Sequence, residues 1–443
     1  MTELKQYRIK ARSASALVAQ VEAAVAAGEL SPGERLPSVR RLAADAGLSP
    51  ATVAAGLAEL RRRGLIISEP RSGTRIGERP PLSAAPQPMA VPDGARDLSL
   101  GNPDPALLPD LAAALQRCEQ PVRLYGEAPE LPELIERAGR ALRADGVPSG
   151  NLCVVSGALD GIERVLEARL RPGDSVAVEN PGYAALYHLL RALGLQLEPV
   201  PLDELGITPE GLQSALGRGA RAVIVTPRGQ NPTGATLDAG RARQLREILS
   251  AHPDVLLVED DHLGPVAGAP LHTLAAAGPL WAATRSVAKA LGPDLRLAML
   301  AGDETTIARV RGRALCGPGW VSHVLQRLVA TLWADARVGE RVALASSVYA
   351  ERREALLAAL QGRGVSAHGA SGLNVWVDVD DEAAAMAALL ARGWVVAPGA
   401  RYKLTAASPA IRITTAALTP PEAERLAADL AQILSPAPAS RSG

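Results

Sequence analysis

A change of pattern at a proline-bearing stretch most constrains how this 443-residue chain can fold. Residues 77–97 contain five prolines together with Ala, Ser and Gly, and they show little hydrophobic periodicity. Such a stretch is typical of a semi-extended linker. Because the chain is too long for one ordinary core, we expect the linker to separate a small domain, residues 1–76, from a large one, residues 98–433. The tail at 434–443 is predicted to be disordered.

The residues before the linker predict three short helices followed by a β-hairpin. Apolar residues recur at helical spacing within residues 12–28. A second helix begins after Ser38, and a third is capped by Ser49, whose next residue is a proline. Residues 65–67 and 74–76 then form two strands joined by a turn. This order of elements is typical of a winged helix-turn-helix.

A signature resembling that of the GntR winged-helix family occupies residues 28–40, GELSPGERLPSVR, and the likeness continues to residue 65. In such a fold the third helix lies in the major groove of DNA, and the basic and hydroxyl side chains around it contact phosphates. We expect DNA contacts from Arg35, Ser38, Arg40, Ser49, Thr52 and Arg71. Many GntR-like recognition helices carry an arginine near their start, where this chain has Pro50, Ala51 and Ala54. Affinity should therefore depend mainly on phosphate contacts. The alternative is a winged helix used only for protein contacts.

Charge is distributed unevenly along the chain. Residues 1–80 carry 13 Lys and Arg against 8 Asp and Glu, whereas the remainder carries 34 against 39. A basic segment on a mildly acidic body is consistent with a nucleic-acid-binding module, although uneven sampling of surface charge gives the same count.

The cysteines and the hydropathy pattern place further limits on the protein. Cys118, Cys153 and Cys316 are odd in number and far apart, which argues against a disulfide framework or a thiolate metal site. No stretch of about 20 uninterrupted apolar residues occurs. We therefore expect a cytoplasmic protein without metal and without a membrane partner.

Beyond the linker, apolar strands alternate with longer helices, which predicts an α/β sheet with helical crossovers. The strand candidates of the large sheet are Cys153–Val155, Ser175–Val178, Ala222–Val225, Val255–Val258 and Leu297–Leu300. A second cluster, at Asn374–Val379, Trp394–Val396 and Ile411–Thr414, predicts a smaller C-terminal α+β subdomain.

One lysine is conspicuous in this arginine-rich chain. Only Lys5, Lys10, Lys289 and Lys403 occur among the 47 basic residues, and Lys289 lies in a mostly apolar segment. An amine forms an imine with an aldehyde, whereas a guanidinium does not. A lone lysine is more often a surface charge, so the other polar segments of the domain must decide between the two interpretations.

Those segments, apart from the region of Lys289, follow predicted strands, where ligands gather in open α/β sheets. They are Ser156-Gly157-Ala158-Leu159, Asn180-Pro181-Gly182-Tyr183, Asn231-Pro232-Thr233-Gly234, Glu259-Asp260-Asp261 and the region of Lys289. In this order they resemble the fold-type I pyridoxal-phosphate (PLP) aminotransferases over residues 98–433. Joined to a GntR winged helix, the chain resembles the aminotransferase-like (MocR) subfamily of GntR regulators. The expected fold class is thus α/β: a winged helix-turn-helix, then a large, mainly parallel sheet domain and a smaller C-terminal subdomain.

The resemblance implies a role for each matching position. Lys289 would form the imine with PLP, Asp260 would pair with the pyridinium nitrogen, and Arg412 would take the carboxylate of a substrate or effector. Asn231 would bond the phenolic oxygen and Tyr183 would stack on the ring. The phosphate would be held by Ser286, Arg296, the amides of Ala158 and Leu159, and Tyr125 of a second subunit.

Two positions depart from the aminotransferase pattern. His262 stands where a tyrosine is usual, and its contribution to the cofactor depends on its protonation. Ala288 stands where a hydroxyl residue is common beside the lysine. These departures leave transamination open, whereas the winged helix favours a regulator that senses PLP or its imine with a small amine or amino acid. Such a regulator is expected to be a dimer. The alternatives are an active aminotransferase with an accessory winged helix, and a degenerate domain that only dimerises.

Overall fold

The computed structural model describes residues 11, 13–26, 29–62, 65–69, 73–77, 91–119 and 121–434. Its N-terminal part contains the helices α1 (Ala14–Ala26), α2 (Val39–Ala46) and α3 (Pro50–Arg62), and the strands β1 (Ile66–Glu69) and β2 (Gly73–Ile76). The two strands pair antiparallel, with Ile66 opposite Ile76. The predicted winged helix-turn-helix is confirmed.

Capping residues set the ends of the N-terminal helices. The Ser38 side chain accepts a hydrogen bond from the amide of Arg41, and Gly47 ends α2 with a φ of 66°. The Ser49 hydroxyl accepts from the amide of Thr52 at 3.1 Å. Leu17, with 0% of its surface exposed, packs with other apolar residues of all three helices and both strands in one small core.

The rest of the described chain forms the large domain, whose elements are as follows. The helices are α4 (Leu111–Gln116), α5 (Pro132–Ala144), α6 (Ala158–Arg169), α7 (Ala184–Ala192), α8 (Pro209–Gly217), α9 (Ala239–Ser250), α10 (Ala288–Leu291), α11 (Glu304–Leu315), α12 (His323–Ala334), α13 (Ala336–Gln361), α14 (Glu382–Ala391) and α15 (Pro420–Leu434). The strands are β3 (Arg96–Asp97), β4 (Leu152–Val155), β5 (Ser175–Asn180), β6 (Gln196–Asp203), β7 (Gly206–Ile207), β8 (Ala222–Val225), β9 (Leu256–Asp261), β10 (Trp281–Ser286), β11 (Ala298–Gly302), β12 (Ala367–His368), β13 (Asn374–Asp378), β14 (Trp394–Val395), β15 (Ala397–Pro398) and β16 (Ala410–Thr414).

Eight strands form the large sheet, in the order β4-β11-β10-β9-β8-β5-β6-β7. The strands β5, β8, β9 and β10 are parallel to their neighbours within that run, whereas β11 is antiparallel to both β10 and β4. The sheet is therefore mixed around a parallel centre. The central strand β8 is wholly apolar, as is typical where both faces of a sheet are covered, and all four of its residues are buried.

The C-terminal elements form the predicted smaller layer. Its four-stranded sheet has the order β12-β13-β16-β15 and is antiparallel. Ile411 and Ile413 of β16 join the buried cluster formed with α13, α14 and α15. Because side chains alternate along a strand, Arg412 points to the opposite face.

The end of the predicted linker differs from the expectation. Residues 78–90 lie outside the described residues. Arg96 and Asp97, which the pattern assigned to the linker, form β3 and pair parallel with β14. The amide of Arg96 donates to the carbonyl of Gly393 and the amide of Leu98 donates to that of Val395, so the ordered part of the large domain begins before residue 98. The predicted tail lies outside the described residues except for Leu434, which ends α15.

Candidate functional site

Five strands of the large sheet end at the same edge. The strands β5, β8, β9 and β10 run in one direction, and β4 shares that direction because β11 between β4 and β10 is antiparallel to both. Each polar segment that the sequence singled out lies at or just after one of these ends. The topology therefore brings together side chains separated by more than a hundred residues in sequence.

Lys289 lies on the short helix α10, just after β10. Its Nζ donates a hydrogen bond to the carbonyl oxygen of Gly101 at 2.7 Å. Burial, with a smaller effect from the charge of Arg412, lowers the pKa of the amine to about 8. At neutral pH a larger fraction of this amine is therefore unprotonated than for an ordinary lysine, and only the unprotonated amine attacks an aldehyde.

Asp260 is the carboxylate that faces the same site. Its side chain is only 7% exposed, and Thr284, its neighbour in the parallel register, donates a hydrogen bond to Oδ1 at 3.1 Å. Burial, with a smaller effect from Asp261, raises the pKa of Asp260 to about 7. Among the described residues, this buried carboxylate has a hydroxyl as its hydrogen-bond donor and no compensating positive charge, and a pyridinium N–H would supply one.

The two carboxylates beside Asp260 point away from this site. Asp261 accepts a bidentate pair from Arg228 at 2.9 Å and a further bond from Arg285 at 2.8 Å. Those arginines hold the pKa of Asp261 below its usual value although burial opposes them. Glu259 accepts from the Thr273 hydroxyl at 2.5 Å. Because side chains alternate along β9, Glu259 and Asp261 point to one face of the sheet and Asp260 points to the other, where the site lies.

The start of α6 and the end of β10 form a cradle for an anion. Ala158 and Leu159 are the first residues of α6, so their amides have no partner within the helix. Gly157 precedes them with a φ of 101°, and a Cβ there would lie 3.3 Å from a guanidinium nitrogen of Arg296. Ser286, the last residue of β10, is 7% exposed. These groups fit a phosphate.

Arg412 and Asn231 are in direct contact. The Arg412 guanidinium donates to Oδ1 of Asn231 at 3.0 Å and to the carbonyl of Ser99, and it lies 5.1 Å from the ring centroid of Tyr402. Arg412 is 3% exposed, and its Nε has no hydrogen-bond partner within the described part of the chain. A buried cation with an unsatisfied donor fits a carboxylate ligand.

Tyr183 and His262 border the same site. The phenol of Tyr183 has a raised pKa, mainly because of burial and also because of the charge of Asp260. Burial and the charge of Lys289 lower the pKa of His262 to about 4. His262 is therefore a neutral imidazole at neutral pH, so the pH-dependent protonation considered from the sequence falls below the physiological range.

Tyr125 is not brought into this cluster. It is 93% exposed, and its ring packs edge-on against Trp320 with the centroids 5.8 Å apart. The sequence assigned Tyr125 to the phosphate of a second subunit, and an exposed position is compatible with that role.

The described residues with predicted DNA contacts lie on the N-terminal part. Arg35, Ser38, Arg40 and Ser49 are exposed, and Thr52 is half-buried. Ser38 and Ser49 also cap helices, so their hydroxyl oxygens are already acceptors while their protons remain able to donate. Arg71 lies outside the described residues.

Several residues of the site were missed by the sequence analysis. Thr284 contacts Asp260, Gly101 and Ser99 accept from Lys289 and Arg412, and Tyr402 packs on Arg412. Two of these contacts use backbone carbonyls, which leave no side-chain signal in a sequence. Thr284 precedes Ser286 by two residues on the strand that leads to Lys289, and this spacing is the one signal that could have been used.

Two family models match the chain. The model of bacterial regulatory proteins of the gntR family matches residues 13–76, and that of aminotransferase class I and II matches residues 95–430. The chain is 40% identical over 433 residues to the vitamin B6 salvage pathway transcriptional repressor PtsJ of Salmonella typhimurium, covering 96% of this chain and 99% of the relative. This chain belongs to the aminotransferase-like (MocR) subfamily of GntR regulators.

One further relative and one solved structure are similar to this chain. The pyridoxine biosynthesis transcriptional regulator PdxR of Corynebacterium glutamicum is 33% identical over 276 residues, which is 59% of this chain and 60% of that protein. The structure of Pyrococcus horikoshii kynurenine aminotransferase in complex with PMP superposes with a TM-score of 0.69 at 22% identity, covering 77% of this chain and 91% of that chain. The second comparison confirms the fold.

The arrangement has the groups that PLP requires: an amine, a buried carboxylate and an anion cradle. Within the described part of the chain, no group of three or more His, Cys, Asp or Glu residues is placed to hold a metal ion. None of the described helices is both long and apolar enough to cross a bilayer.

Proposed function

We propose that this protein is a transcription regulator whose large domain senses PLP, or the imine of PLP with a small amine or amino acid. The observation that carries the proposal is that one chain contains both a winged helix and, at one edge of its large sheet, an amine, a buried carboxylate and an anion cradle. A domain that served only to dimerise would have no use for Lys289 and Asp260 in one site. The named roles of PtsJ and PdxR in vitamin B6 pathways support an effector of the same chemistry.

Different residues of the site would bind different parts of PLP. Lys289 would bind the aldehyde carbon, Asp260 would keep the ring nitrogen protonated, and Asn231 would bond the phenolic oxygen. Tyr183 would stack on the ring, with the neutral His262 beside it. The phosphate would lie on the amides of Ala158 and Leu159, with Ser286 and Arg296. When bound, PLP supplies an electron-withdrawing ring.

A ligand changes DNA binding only if it binds two arrangements of the protein with different affinity. We propose a homodimer, because Tyr125 is 93% exposed and two winged helices would fit a two-fold operator. Arg412 would take the carboxylate of an amino-acid effector. Arg35, Ser38, Arg40, Ser49, Thr52 and Arg71 would contact the DNA, mostly at phosphates.

Aminotransferase activity is the second candidate function. The lowered pKa of Lys289, about 8, favours it, because a lysine that is easily deprotonated can also transfer protons. The contact of Arg412 with Asn231 would likewise orient a substrate carboxylate.

An absorption titration run beside DNA binding tests both functions. The wild-type protein with PLP should show imine absorbance, amines should shift it, and promoter affinity should change over the same concentration range. Lys289→Ala should abolish the absorbance, whereas Arg40→Ala should weaken DNA binding and leave the absorbance intact. A wild type that stays colourless at saturating PLP contradicts the proposal. Sustained spectral cycling with a keto acid and an amino donor would establish the enzyme instead.

A further inference from the structure

A buried hydrogen-bonded cluster connects two of the strand ends beneath the site. It consists of Glu179 at the end of β5, Thr226 just after β8, and Gln230 and Thr233 in the loop that follows. Gln230 is fully buried, and Glu179 is 7% exposed. No role in the cofactor site was assigned to these residues by the sequence.

Every hydrogen-bonding position of the Gln230 amide is used. Its Oε1 accepts from the amide and the hydroxyl of Thr233 at 3.0 and 2.7 Å. Its Nε2 donates to Oε2 of Glu179 and to the carbonyl of Pro181, both at 3.0 Å. Because the Thr233 amide can only donate, it fixes which end of the Gln230 amide faces Glu179.

Glu179 receives donors on both of its oxygens. The amide of Thr226 donates to Oε1 at 2.7 Å, and the Thr226 hydroxyl donates to Oε2 at 3.0 Å, beside Gln230. Burial raises the pKa of this carboxyl to about 7 although the three hydrogen bonds oppose the shift. The amide and hydroxyl of Thr226 and the side-chain amide of Gln230 all donate to this carboxyl, so the cluster depends on the match of donors to acceptors.

The cluster lies between the loops that carry two cofactor-facing side chains. Pro181, whose carbonyl Gln230 bonds, is two residues before Tyr183. Gln230 directly precedes Asn231 in the chain, and Asn231 contacts Arg412. The cluster thus fixes the Tyr183 loop against the Asn231 loop.

We infer that Glu179 and Gln230 are positioning residues of the cofactor site, which hold Tyr183 and Asn231 at the spacing that the PLP ring requires. This inference rests on the proposed binding of PLP. Neither residue needs to touch the cofactor, and their effect passes through the two loops.

A charge exchange tests the inference. Gln230→Glu places a second carboxylate against Glu179 and the Pro181 carbonyl, so one proton must be taken up. Relative to wild type at the same pH, PLP affinity should fall by about tenfold at pH 8 and by about threefold at pH 6. In the double variant Glu179→Gln/Gln230→Glu, the new amide at 179 donates to the new carboxylate at 230. Because the Pro181 carbonyl still lacks its donor, the double variant should recover only in part, to about threefold below wild type at pH 8 instead of tenfold.

The readouts are chosen to distinguish positioning from stability. PLP affinity, the pKa of the imine and the induced circular dichroism of the bound cofactor report the geometry of the ring. The matched control is Gln326→Glu. Gln326 is also fully buried and also donates to two carbonyls, those of Pro129 and Val321. Its hydrogen-bond partners in the described part of the chain include none of the residues assigned to PLP. It should lower the Tm and leave the three cofactor readouts unchanged.

The outcomes separate this inference from the proposed function. If wild type forms no imine, the proposed function fails. If wild type forms one and Gln230→Glu matches its affinity, imine pKa and dichroism, the positioning role is wrong. Should Gln230→Glu fail to fold, Thr226→Val removes one hydrogen bond from Glu179 at nearly constant volume. It should weaken PLP by about threefold, and an unchanged affinity would overturn the inference.

Discussion

At the scale of single residues, the site is governed by burial. Lys289 and Asp260 both have pKa values shifted toward their neutral forms, to about 8 and about 7, with burial as the main cause. Each group can therefore gain a favourable interaction when a ligand binds. A neutral amine accepts an aldehyde, and a buried carboxyl regains its charge when a cation binds beside it.

The raised pKa of Asp260 predicts how stability depends on pH. Between the unfolded value of 3.8 and the folded value of about 7, the folded protein holds a proton that the unfolded chain has released. The free energy of unfolding of the PLP-free protein should therefore decrease as pH rises through this window. The contribution of Asp260 is on the order of 2–4 kcal/mol.

Thermal unfolding of the PLP-free protein at pH 5 and pH 8 measures this dependence. Asp260→Asn should make the free energy of unfolding fall less between pH 5 and pH 8. Asp254→Asn, at an exposed position, should leave that fall unchanged. Equal slopes in wild type and Asp260→Asn would contradict the assignment.

At the scale of elements, glycines allow the loop of Asn231 to approach the smaller layer. Gly234 has a φ of 74°, and a Cβ there would lie 2.9 Å from both the Cα of Gly369 and the carbonyl oxygen of Ser371. The amide of Ser371 also donates to the Gly234 carbonyl at 2.8 Å. This backbone contact leaves no room for a side chain.

Gly364 offers a matched control, because its φ is 73° and a Cβ there would meet nothing within 4 Å. Gly364→Ala should cost about 1 kcal/mol from backbone conformation alone. Gly234→Ala should cost about 3 kcal/mol or more and also weaken PLP, because the Asn231 loop must move. Chemical denaturation and PLP titration of both variants check this. Equal losses in the two would show that the close contact is unimportant.

Much of the secondary structure could be predicted from local pattern, and one central strand could not. The candidate Ala222–Val225 coincides with β8, because an apolar run buried on both faces has a clear signature. The strand β10, Trp281–Ser286, was missed because Ala, Thr, Arg and Ser give no apolar run. This segment forms a strand because it pairs with β9 on one side and β11 on the other, and these pairings depend on the assembled sheet and not on the local sequence.

At the scale of the whole molecule, the proposed dimer predicts complementation between defective chains. Tyr125→Phe should weaken PLP by about tenfold if the hydroxyl bonds the phosphate of the other subunit. In a mixed dimer of Tyr125→Phe and Lys289→Ala, one site has Lys289 from the first chain and Tyr125 from the second. That site should bind PLP as wild type does.

Differently tagged chains, purified as the mixed dimer and titrated with PLP, give this measurement. Half of the sites should form the imine with wild-type affinity, and the Tyr125→Phe dimer serves as the reference for a weakened site. A mixed dimer that binds no better than Tyr125→Phe would exclude the shared site.

The sequence by itself determined the order of the parts and the chemistry of the anchors. A winged helix, a proline-bearing stretch and an α/β domain follow from local periodicity, capping residues and turns, which depend on near neighbours. The resemblance to known motifs pointed to Lys289, Asp260, Asn231 and Arg412.

Only the tertiary structure decided which groups act together. Asp260 faces the site while Asp261 binds Arg228 and Arg285 on the opposite side of β9, and three consecutive acidic residues do not distinguish these roles. The contact between Glu179 and Gln230 joins residues 51 positions apart. Such contacts depend on strand order and register, which are fixed by packing over the whole sheet, so no local pattern specifies them.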